Sequence, residues 1–261
     1  MNAKGLIPVI QKTPIYHPLR NLYLRTLKRK YWEDHILAPR RFFRQFVQPG
    51  STVFDIGANV GEYTHTFLAL GARKVVAVEP TPILADELKR IRNARLSVVA
   101  AAGAVRGKLL LKISNHSQLN SFSPEWIDNA LEIASEGHPQ WIGEVEVDVF
   151  SIDDLIRTWG VPDFIKIDVE GYELEVLKGM SRVPKLVSFE FHVRFCDSAI
   201  ACIRQNCFPG SARFNYLLGE PRMDSSLGLP EWCNAERMAY ELLKLTRVSP
   251  TGYGDIFVLC E

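Results

Sequence analysis

The sequence lacks the features of a membrane-spanning or exported protein. Within its 261 residues no apolar run approaches the roughly 18 residues that a membrane-spanning helix needs. The N-terminus shows neither the short apolar core nor the small-residue cleavage site of a signal peptide. We therefore expect a cytoplasmic protein.

Cysteine is scarce and shows no pairing pattern. The five cysteines form an odd set without a C-x-x-C pair, and no histidines follow them at zinc-binding spacing. A disulfide framework and a structural zinc site are therefore not expected, and the thiols are predicted to be reduced.

An excess of charge of either sign is also missing, since the formal net charge is +1. Such a balance gives no general attraction to nucleic acid. The charge is nevertheless uneven, because residues 20–44 hold eight Lys or Arg against two acidic residues and so carry +6. Residues 19–32 predict a helix with one basic face, which either packs on the main domain or makes weak contact with an anionic surface. We assign residues 1–31 to an N-terminal extension and residues 32–261 to the main domain.

The order of apolar runs indicates the fold class. After Gly50, short apolar runs alternate with helical stretches, which is typical of a parallel sheet covered by helices. Two further segments, Glu144–Phe150 and Gly254–Leu259, predict antiparallel strands at a mixed edge. The five predicted parallel strands are Thr52–Ile56, Val75–Val78, Leu96–Ala101, Phe164–Val169 and Leu186–Phe191, and the predicted helices are Glu62–Leu70, Pro82–Asn93, Ile152–Trp159, Glu173–Gly179 and Asp197–Asn206.

A glycine-bearing turn follows the first predicted strand. Gly57 and Gly61 stand in a G-x-x-x-G spacing between that strand and a helix. Glycines there either shape a tight corner or let backbone amides at the helix N-terminus approach a ligand closely. About twenty residues further on, the second predicted strand ends at Glu79, whose carboxylate can accept hydrogen bonds from ribose hydroxyls.

The spacing of this turn distinguishes two classes of cofactor. A dinucleotide site requires G-x-G-x-x-G, and Asp55 at the end of the strand would place negative charge near a pyrophosphate. S-adenosylmethionine carries a sulfonium, an amino group and a carboxylate but no phosphate, so an acidic, amide-rich turn suits it better. The turn therefore predicts binding of S-adenosylmethionine.

Three segments of the sequence carry distinctive motifs: Phe54–Tyr63 with Val78–Pro80, Asp163–Glu173 with Leu177–Gly179, and Gly254–Phe257. Together they resemble the FkbM family of S-adenosylmethionine-dependent methyltransferases. The second segment, which contains the run K-I-D-V-E-G, is the most specific. The resemblance covers roughly Trp32 to the C-terminus.

This resemblance implies a class I methyltransferase fold, which is α/β and Rossmann-like, with a seven-stranded, mostly parallel sheet and helices on both faces. It also implies O-methylation of a hydroxyl on a sugar, glycolipid or secondary metabolite. The cofactor contacts that it implies are Asp55, Gly57, Ala58, Asn59, Gly61 and Glu79.

Polar side chains end the fourth and fifth predicted parallel strands, where ligands of open α/β sheets bind. Lys166 and Asp168 share one strand face, and Glu170 follows at the next turn. Because a charge inside a buried strand needs a partner, Lys166 predicts an internal ion pair. Glu190 and His192 likewise share a face of the fifth strand. We predict catalytic or substrate-positioning roles for Asp168 and Glu170, and for His192 either the role of the base or a structural role.

Several alternatives stay open at this point. A divalent metal held by Asp168, Glu190 and His192 is chemically reasonable, but no ligand spacing requires it, and no metal is predicted. A nucleic-acid methyltransferase could use the basic segment, but the near-neutral charge and the missing N-P-P-[YFW] motif argue against it. A non-catalytic scaffold is disfavoured by the intact turn and Glu79.

Two stretches between the motifs are predicted to form walls of an acceptor site. Asn115–Gly143 is long for a connection and contains two tryptophans and two histidines. Such aromatic side chains suit sugar rings, although they could equally pack an ordinary insertion. Cys207–Trp232, rich in Pro and Gly, is the second candidate wall.

Overall fold

The computed structural model describes residues 29–89, 91, 97–98, 101–116, 119–129 and 140–260. The part of the predicted basic helix that precedes residue 29 therefore lies outside the described residues. The described chain begins with α1 (Arg29–Trp32), a π-helical turn (Glu33–Leu37) and α2 (Ala38–Phe43).

None of the helices in these ranges combines the length and the apolar character that crossing a membrane requires.

Ten strands are described, and seven of them form the central sheet. The strands are β1 (Thr52–Ile56), β2 (Lys74–Val78), β3 (Ser97–Val98), β4 (Ala101–Ala102), β5 (Gly107–Ser114), β6 (Trp141–Phe150), β7 (Phe164–Ile167), β8 (Leu186–His192), β9 (Arg213–Leu218) and β10 (Tyr253–Leu259). The central sheet has the order β3-β2-β1-β7-β8-β10-β9. Its first five strands pair in parallel, and β10 is antiparallel to both of its neighbours. This confirms the predicted seven-stranded, mostly parallel sheet.

The other three strands form a separate sheet in which β6 lies between β4 and β5. The prediction that Glu144–Phe150 lies at an edge of the main sheet is wrong, although the strand does pair antiparallel with β5. The alternation of acidic residues and valines explains why this strand lies in the small sheet. Val147 and Val149 are buried while Glu146 stays exposed and pairs with Lys108 at 2.7 Å, so the strand needs one face in water.

The predicted third strand, Leu96–Ala101, is divided between the two sheets. Ser97–Val98 pairs with β2, whereas Ala101–Ala102 pairs with β6. The chain thus leaves the central sheet early and supplies the small sheet instead. Short apolar runs carry no signal of such a change of partner, because periodicity does not identify the neighbouring strand.

Helices cover both faces of the central sheet, as predicted. On one face, Phe42, Phe43 and Phe67 pack against Val53 and against the other strand side chains in the same hydrophobic cluster. On the other face the strands pack against the later helices. The remaining helices are α3 (Glu62–Ala69), α4 (Pro82–Leu88), α5 (Pro124–Asp128), α6 (Ile152–Trp159), α7 (Glu173–Lys178), α8 (Cys196–Ile203) and α9 (Ala235–Val248).

Several helix boundaries follow from local sequence. The predicted helix Ile152–Trp159 is confirmed, because Ser151 and Asp154 form a reciprocal capping box at its start. The predicted helix Pro82–Asn93 is too long, since α4 ends at Leu88. Helix α9 is not among the helices predicted from the sequence, although the Asn234 side chain accepts a hydrogen bond from the Arg237 amide and marks its start.

Candidate active site

A cavity of about 960 Å³ opens beside the carboxyl ends of the central strands. Its wall includes the turn after β1, the end of β2, the turn after β7 and the end of β8. The volume lies near the upper end of the range for small-molecule sites, which leaves room for a cofactor and a second ligand. Ligands of open α/β sheets bind at this edge.

The turn after β1 is held by close contact between strands. The amides of Gly57 and Ala58 donate hydrogen bonds to the carbonyl oxygen of Val78, at 2.8 and 3.0 Å. Gly57 has a φ of +82°, and a Cβ there would lie 1.7 Å from the carbonyl oxygen of Asp168. Glycine at this position therefore permits the end of β7 to lie directly against the turn.

The carboxylate of Glu79 lies on the cavity wall and is fixed from both sides. Its Oε2 accepts a hydrogen bond from the Asn59 amide at 2.9 Å, and its Oε1 accepts one from the Thr81 amide at 2.8 Å. Burial raises the pKa of Glu79, and these hydrogen bonds oppose that rise. The carboxylate is thus held in one orientation with acceptor capacity left for a ligand.

Gly57, Ala58, Asn59 and Glu79 all line the cavity. Asp55 instead lies behind the turn, with 2% of its surface exposed, and its carboxylate accepts a hydrogen bond from the Thr64 hydroxyl of α3.

Asp55 and Gly61, the two other predicted cofactor residues, are not among the residues that line the cavity. Gly61 is the residue before α3, with a φ of +87°. A Cβ on Gly61 would lie 2.6 Å from Ile91, so the glycine permits close packing there. Burial raises the pKa of Asp55 to about 6. The contacts of Asp55 and Gly61 with the cofactor stay predictions.

Lys166 forms the predicted internal ion pair. Its Nζ lies 2.7 Å from Oδ2 of Asp168 and 3.8 Å from Oδ1 of Asp255, and the side chain is almost fully buried. The Nζ also lies 4.3 Å from the ring centre of Tyr63. Burial alone lowers the pKa of Lys166, but the surrounding carboxylates outweigh it and raise the pKa above its ordinary value. Lys166 is therefore a permanent cation behind the cavity wall.

Two carboxylates from the turn after β7 and one from β8 meet at the cavity. One oxygen each of Asp168, Glu170 and Glu190 lies within 4.8 Å of the other two. Burial and then the other carboxylates raise the pKa of Glu170 and of Glu190 well above the usual range. Oxygen ligands of this kind suit a divalent cation. The set differs from the metal alternative considered above, because Glu170 takes the place of His192.

His192 lies at the end of β8 among aromatic rings. It stacks on Tyr253 with ring centres 5.6 Å apart and meets the Trp126 ring edge-on at 4.6 Å. Burial lowers the pKa of His192 to about 4. The near-neutral titration expected of an unperturbed histidine is therefore not found, and the imidazole is uncharged at neutral pH.

Both predicted walls contribute to the cavity. His116, Asn120 and Trp126 come from the first wall, and Glu220 and Arg222 come from the loop after β9. Residues 117–118 and 130–139 of the first wall lie outside the described residues.

Tyr63 and Glu220 join the loop after β9 to the central sheet. The hydroxyl of Tyr63 donates a hydrogen bond to Oε2 of Glu220 at 2.7 Å. Neither residue was singled out by spacing, because the two lie far apart in the chain. Their shared position at the cavity is a result of the fold.

The buried acids predict that the protein gains stability as the pH falls below neutral. Burial raises the pKa of Glu173 to about 7 and those of Asp55 and Asp255 to about 6, so stability is lost as the pH rises through these values. His192 opposes the effect, since its lowered pKa disfavours the folded state at acidic pH. We expect the free energy of unfolding in urea to be at least about 2 kcal/mol higher near pH 5.5 than near pH 7.5, because the raised pKa values of Glu170 and Glu190 act in the same direction. Glu173→Gln should reduce this difference, and an unchanged or reversed pH dependence would contradict the assignment.

Comparisons with known proteins agree with this geometry. Residues 55–205 match the family model of the methyltransferase FkbM domain. The hexuronic acid methyltransferase AglP of Haloferax volcanii is 30% identical over 153 residues, which are 57% of this chain and 58% of that protein. A ribosomal protein L11 methyltransferase of Pelotomaculum thermopropionicum is 34% identical over 79 residues, which are 30% of this chain and 25% of that protein. The chain thus spans little more than half of the first relative and a quarter of the second.

Similar solved structures include the plantazolicin methyltransferase BpumL in complex with SAH, with a TM-score of 0.41 and 9% identity over 99% of this chain and 97% of that one. The score is low, so the fold assignment rests on the strand order and on the family model. That model covers more than half of the chain, and the glycine turn and Glu79 fit its cofactor, S-adenosylmethionine. This chain belongs to the FkbM family of S-adenosylmethionine-dependent methyltransferases.

Proposed function

We propose that this chain transfers a methyl group to a hydroxyl of a sugar-type acceptor and forms a methyl ether. The observation that carries the proposal is the position of Asp168. Its amide donates a hydrogen bond to the Ile56 carbonyl at 2.9 Å, and its carbonyl abuts Gly57. A carboxylate on the cavity wall thus lies immediately beside the glycine turn.

The turn after β1 and Glu79 would hold the cofactor. Gly57, Ala58 and Asn59 line the cavity, and the Glu79 carboxylate, held by the Asn59 and Thr81 amides, could accept hydrogen bonds from two ribose hydroxyls. When bound, S-adenosylmethionine supplies a methyl group on a positively charged sulfur, and this charge disappears as the methyl group leaves.

Asp168 would accept the proton of the acceptor hydroxyl. A neutral hydroxyl is a weak nucleophile, and a positioned carboxylate that removes its proton during the transfer strengthens it. Asp168 loses its negative charge in this step, while Lys166 keeps Asp255 at 3.8 Å and Asp55 nearby as counter-charges. The step therefore leaves no isolated charge in the buried network.

Glu170 and His192 would position the acceptor. Both line the cavity, and the uncharged imidazole of His192 can accept or donate a hydrogen bond to a second hydroxyl. The aromatic rings of Trp126 and Tyr253 beside it offer apolar faces of the kind on which sugar rings pack. The related hexuronic acid methyltransferase supports a sugar as the acceptor class.

Replacement of Glu79 by glutamine is expected to weaken cofactor binding by about ten- to a hundred-fold. Glutamine keeps the size of the side chain, but its NH₂ group would face an amide donor of Asn59 or Thr81 and could not accept a ribose hydrogen bond. Calorimetry with S-adenosylmethionine measures the change. Glu62→Gln, which alters a carboxylate on the same cavity wall at the start of α3, is the matched control and should bind within about threefold of the parent. Equal affinities for both variants and the parent would contradict the role of Glu79.

Transfer of isotope-labelled methyl groups to a panel of glycosides tests the proposed reaction. A methyl ether formed on a hydroxyl survives alkaline hydrolysis, whereas a methyl ester formed on a uronic acid carboxylate does not. We expect labelled product that resists alkali. Label released by alkali would assign the chain to carboxyl methylation, and cofactor binding without transfer to any glycoside would remove the sugar-type acceptor.

A further inference from the structure

Carboxyl groups outnumber cationic side chains on the described wall of the cavity. In the described part of the chain, seven carboxyl groups line it, against the two cationic side chains Lys30 and Arg222. The excess is concentrated where the acceptor is expected, because Asp168, Glu170 and Glu190 meet there. Burial and their mutual repulsion raise the pKa of Glu170 and of Glu190, so a bound cation would stabilise their ionised forms, whereas an anionic acceptor would disfavour them further.

Two of these three carboxylates have no counter-charge in the described part of the chain. Lys166 pairs with Asp168, and no Lys or Arg in the described ranges forms a salt bridge with Glu170 or Glu190. The nearest basic group to Glu190 is Nε2 of His192 at 3.7 Å, and that imidazole is uncharged at neutral pH. Within the same ranges, Oε2 of Glu190 is buried without a hydrogen-bond partner.

Aromatic rings complete this end of the cavity. Trp126, Tyr253 and His192 pack together beside Glu190, and Tyr172 lies on the same wall. Rings next to carboxylates favour an organic cation, because the ring face attracts positive charge and also packs on C–H groups. The combination fits a ligand that is both a sugar-like ring and a cation.

We propose that the acceptor carries an ammonium group near the hydroxyl that is methylated, as an amino sugar does, and that Glu170 and Glu190 bind this ammonium. The inference rests on the proposed function and narrows its substrate class. An ammonium has three N–H donors, enough to bond both carboxylates, whose oxygens lie within 4.8 Å of each other. It supplies the missing counter-charge and gives the buried Oε2 of Glu190 a donor.

A divalent cation is less suited to the same carboxylates. The Nζ of Lys166 lies 2.7 Å from Asp168, so a metal bound by all three would lie close to a fixed positive charge. An ammonium needs only Glu170 and Glu190 and leaves the Lys166–Asp168 pair intact.

Binding measurements on the full chain test this proposal without methyl transfer. The protein is saturated with S-adenosylhomocysteine, and calorimetry near neutral pH measures its affinity for the methyl glycosides of glucosamine, glucose and glucuronic acid. We expect the glucosamine glycoside to bind about ten- to a hundred-fold more tightly than the glucose glycoside, the usual contribution of a charged hydrogen bond, and the glucuronic acid glycoside to bind most weakly.

Variants then assign the preference to particular residues. Glu190→Gln should lower the ratio of the glucosamine to the glucose affinity about tenfold, and Glu170→Gln should lower it in the same direction. Glu231→Gln removes an exposed carboxylate that lies in the same loop as Glu220 but off the cavity wall, and should leave the ratio unchanged.

Several results would overturn the proposal. They are equal affinities for the three glycosides, tightest binding of the glucuronic acid glycoside, no saturable binding of the glucosamine glycoside, or a preference that disappears on addition of EDTA. Failure of the proposed function is recognised separately, because it appears as absent methyl transfer even where the glucosamine preference holds.

Discussion

Replacement of Asp168 by asparagine is expected to lower kcat by about a hundred- to ten-thousand-fold, while the dissociation constant of the cofactor changes by less than about threefold. Asparagine has the same shape, and its amide oxygen can still accept the hydrogen bond from Nζ of Lys166. It cannot take the proton of the acceptor hydroxyl. The variant therefore removes the base and keeps most of the geometry.

Two measurements separate this effect from a loss of structure. Calorimetry reports the cofactor affinity, and urea unfolding reports stability, which should fall only moderately because Lys166 retains Asp255 as a partner. Asp148→Asn, on the exposed face of β6, is the matched control and should keep full activity. An Asp168→Asn variant with full turnover would rule out Asp168 as the base and leave His192 and Glu170 to be tested.

Replacement of Gly57 by alanine is expected to cost more than about 3 kcal/mol of stability and to abolish measurable cofactor binding. The added Cβ would lie 1.7 Å from the carbonyl oxygen of Asp168 and 2.7 Å from its carbonyl carbon. Both are backbone atoms, which cannot rotate away as a side chain can. Relief of the clash requires the ends of β1 and β7 to separate, which moves the turn on which the cofactor site is built.

Gly50 provides the matched control for this prediction. It also has a positive φ, +90°, but a Cβ there would meet nothing within 4 Å. Gly50→Ala should therefore show only the cost of a left-handed backbone, about 1–2 kcal/mol, with unchanged cofactor affinity. Urea unfolding and calorimetry compare the two variants. Equal losses would mean that strain at a positive φ, and not the contact with Asp168, explains the effect at Gly57.

The elements that could be predicted from the sequence are those with a local physical cause. The β1 strand follows from a short apolar run, and α6 follows from a capping pair and a glycine stop. The pairing of Lys166 could be predicted because a buried charge needs a partner wherever the strand lies. The K-I-D-V-E-G run predicted the family, which the matched model confirms.

Other features depend on residues that are distant in the chain. The small sheet brings β5 and β6 together across a long connection. The unpredicted helix α9 is a different case, because the Asn234 cap marks its start locally. The pKa of His192 likewise depends on residues that are distant in the chain. Trp126 and Tyr253 bury its ring and lower its pKa to about 4, and neither is its neighbour in sequence.

The cofactor class and the family were thus readable from the chain alone, since a glycine turn, a strand-ending glutamate and a short motif are local chemistry. The arrangement of residues at the acceptor end of the cavity could not be predicted from the chain alone. Glu170 lies in the turn after β7, Glu190 lies in β8, and Glu220 reaches the cavity from a third segment, so their meeting depends on strand order and loop path. Burial among distant side chains raises the pKa of Glu170 and of Glu190, and that burial exists only once the chain has folded.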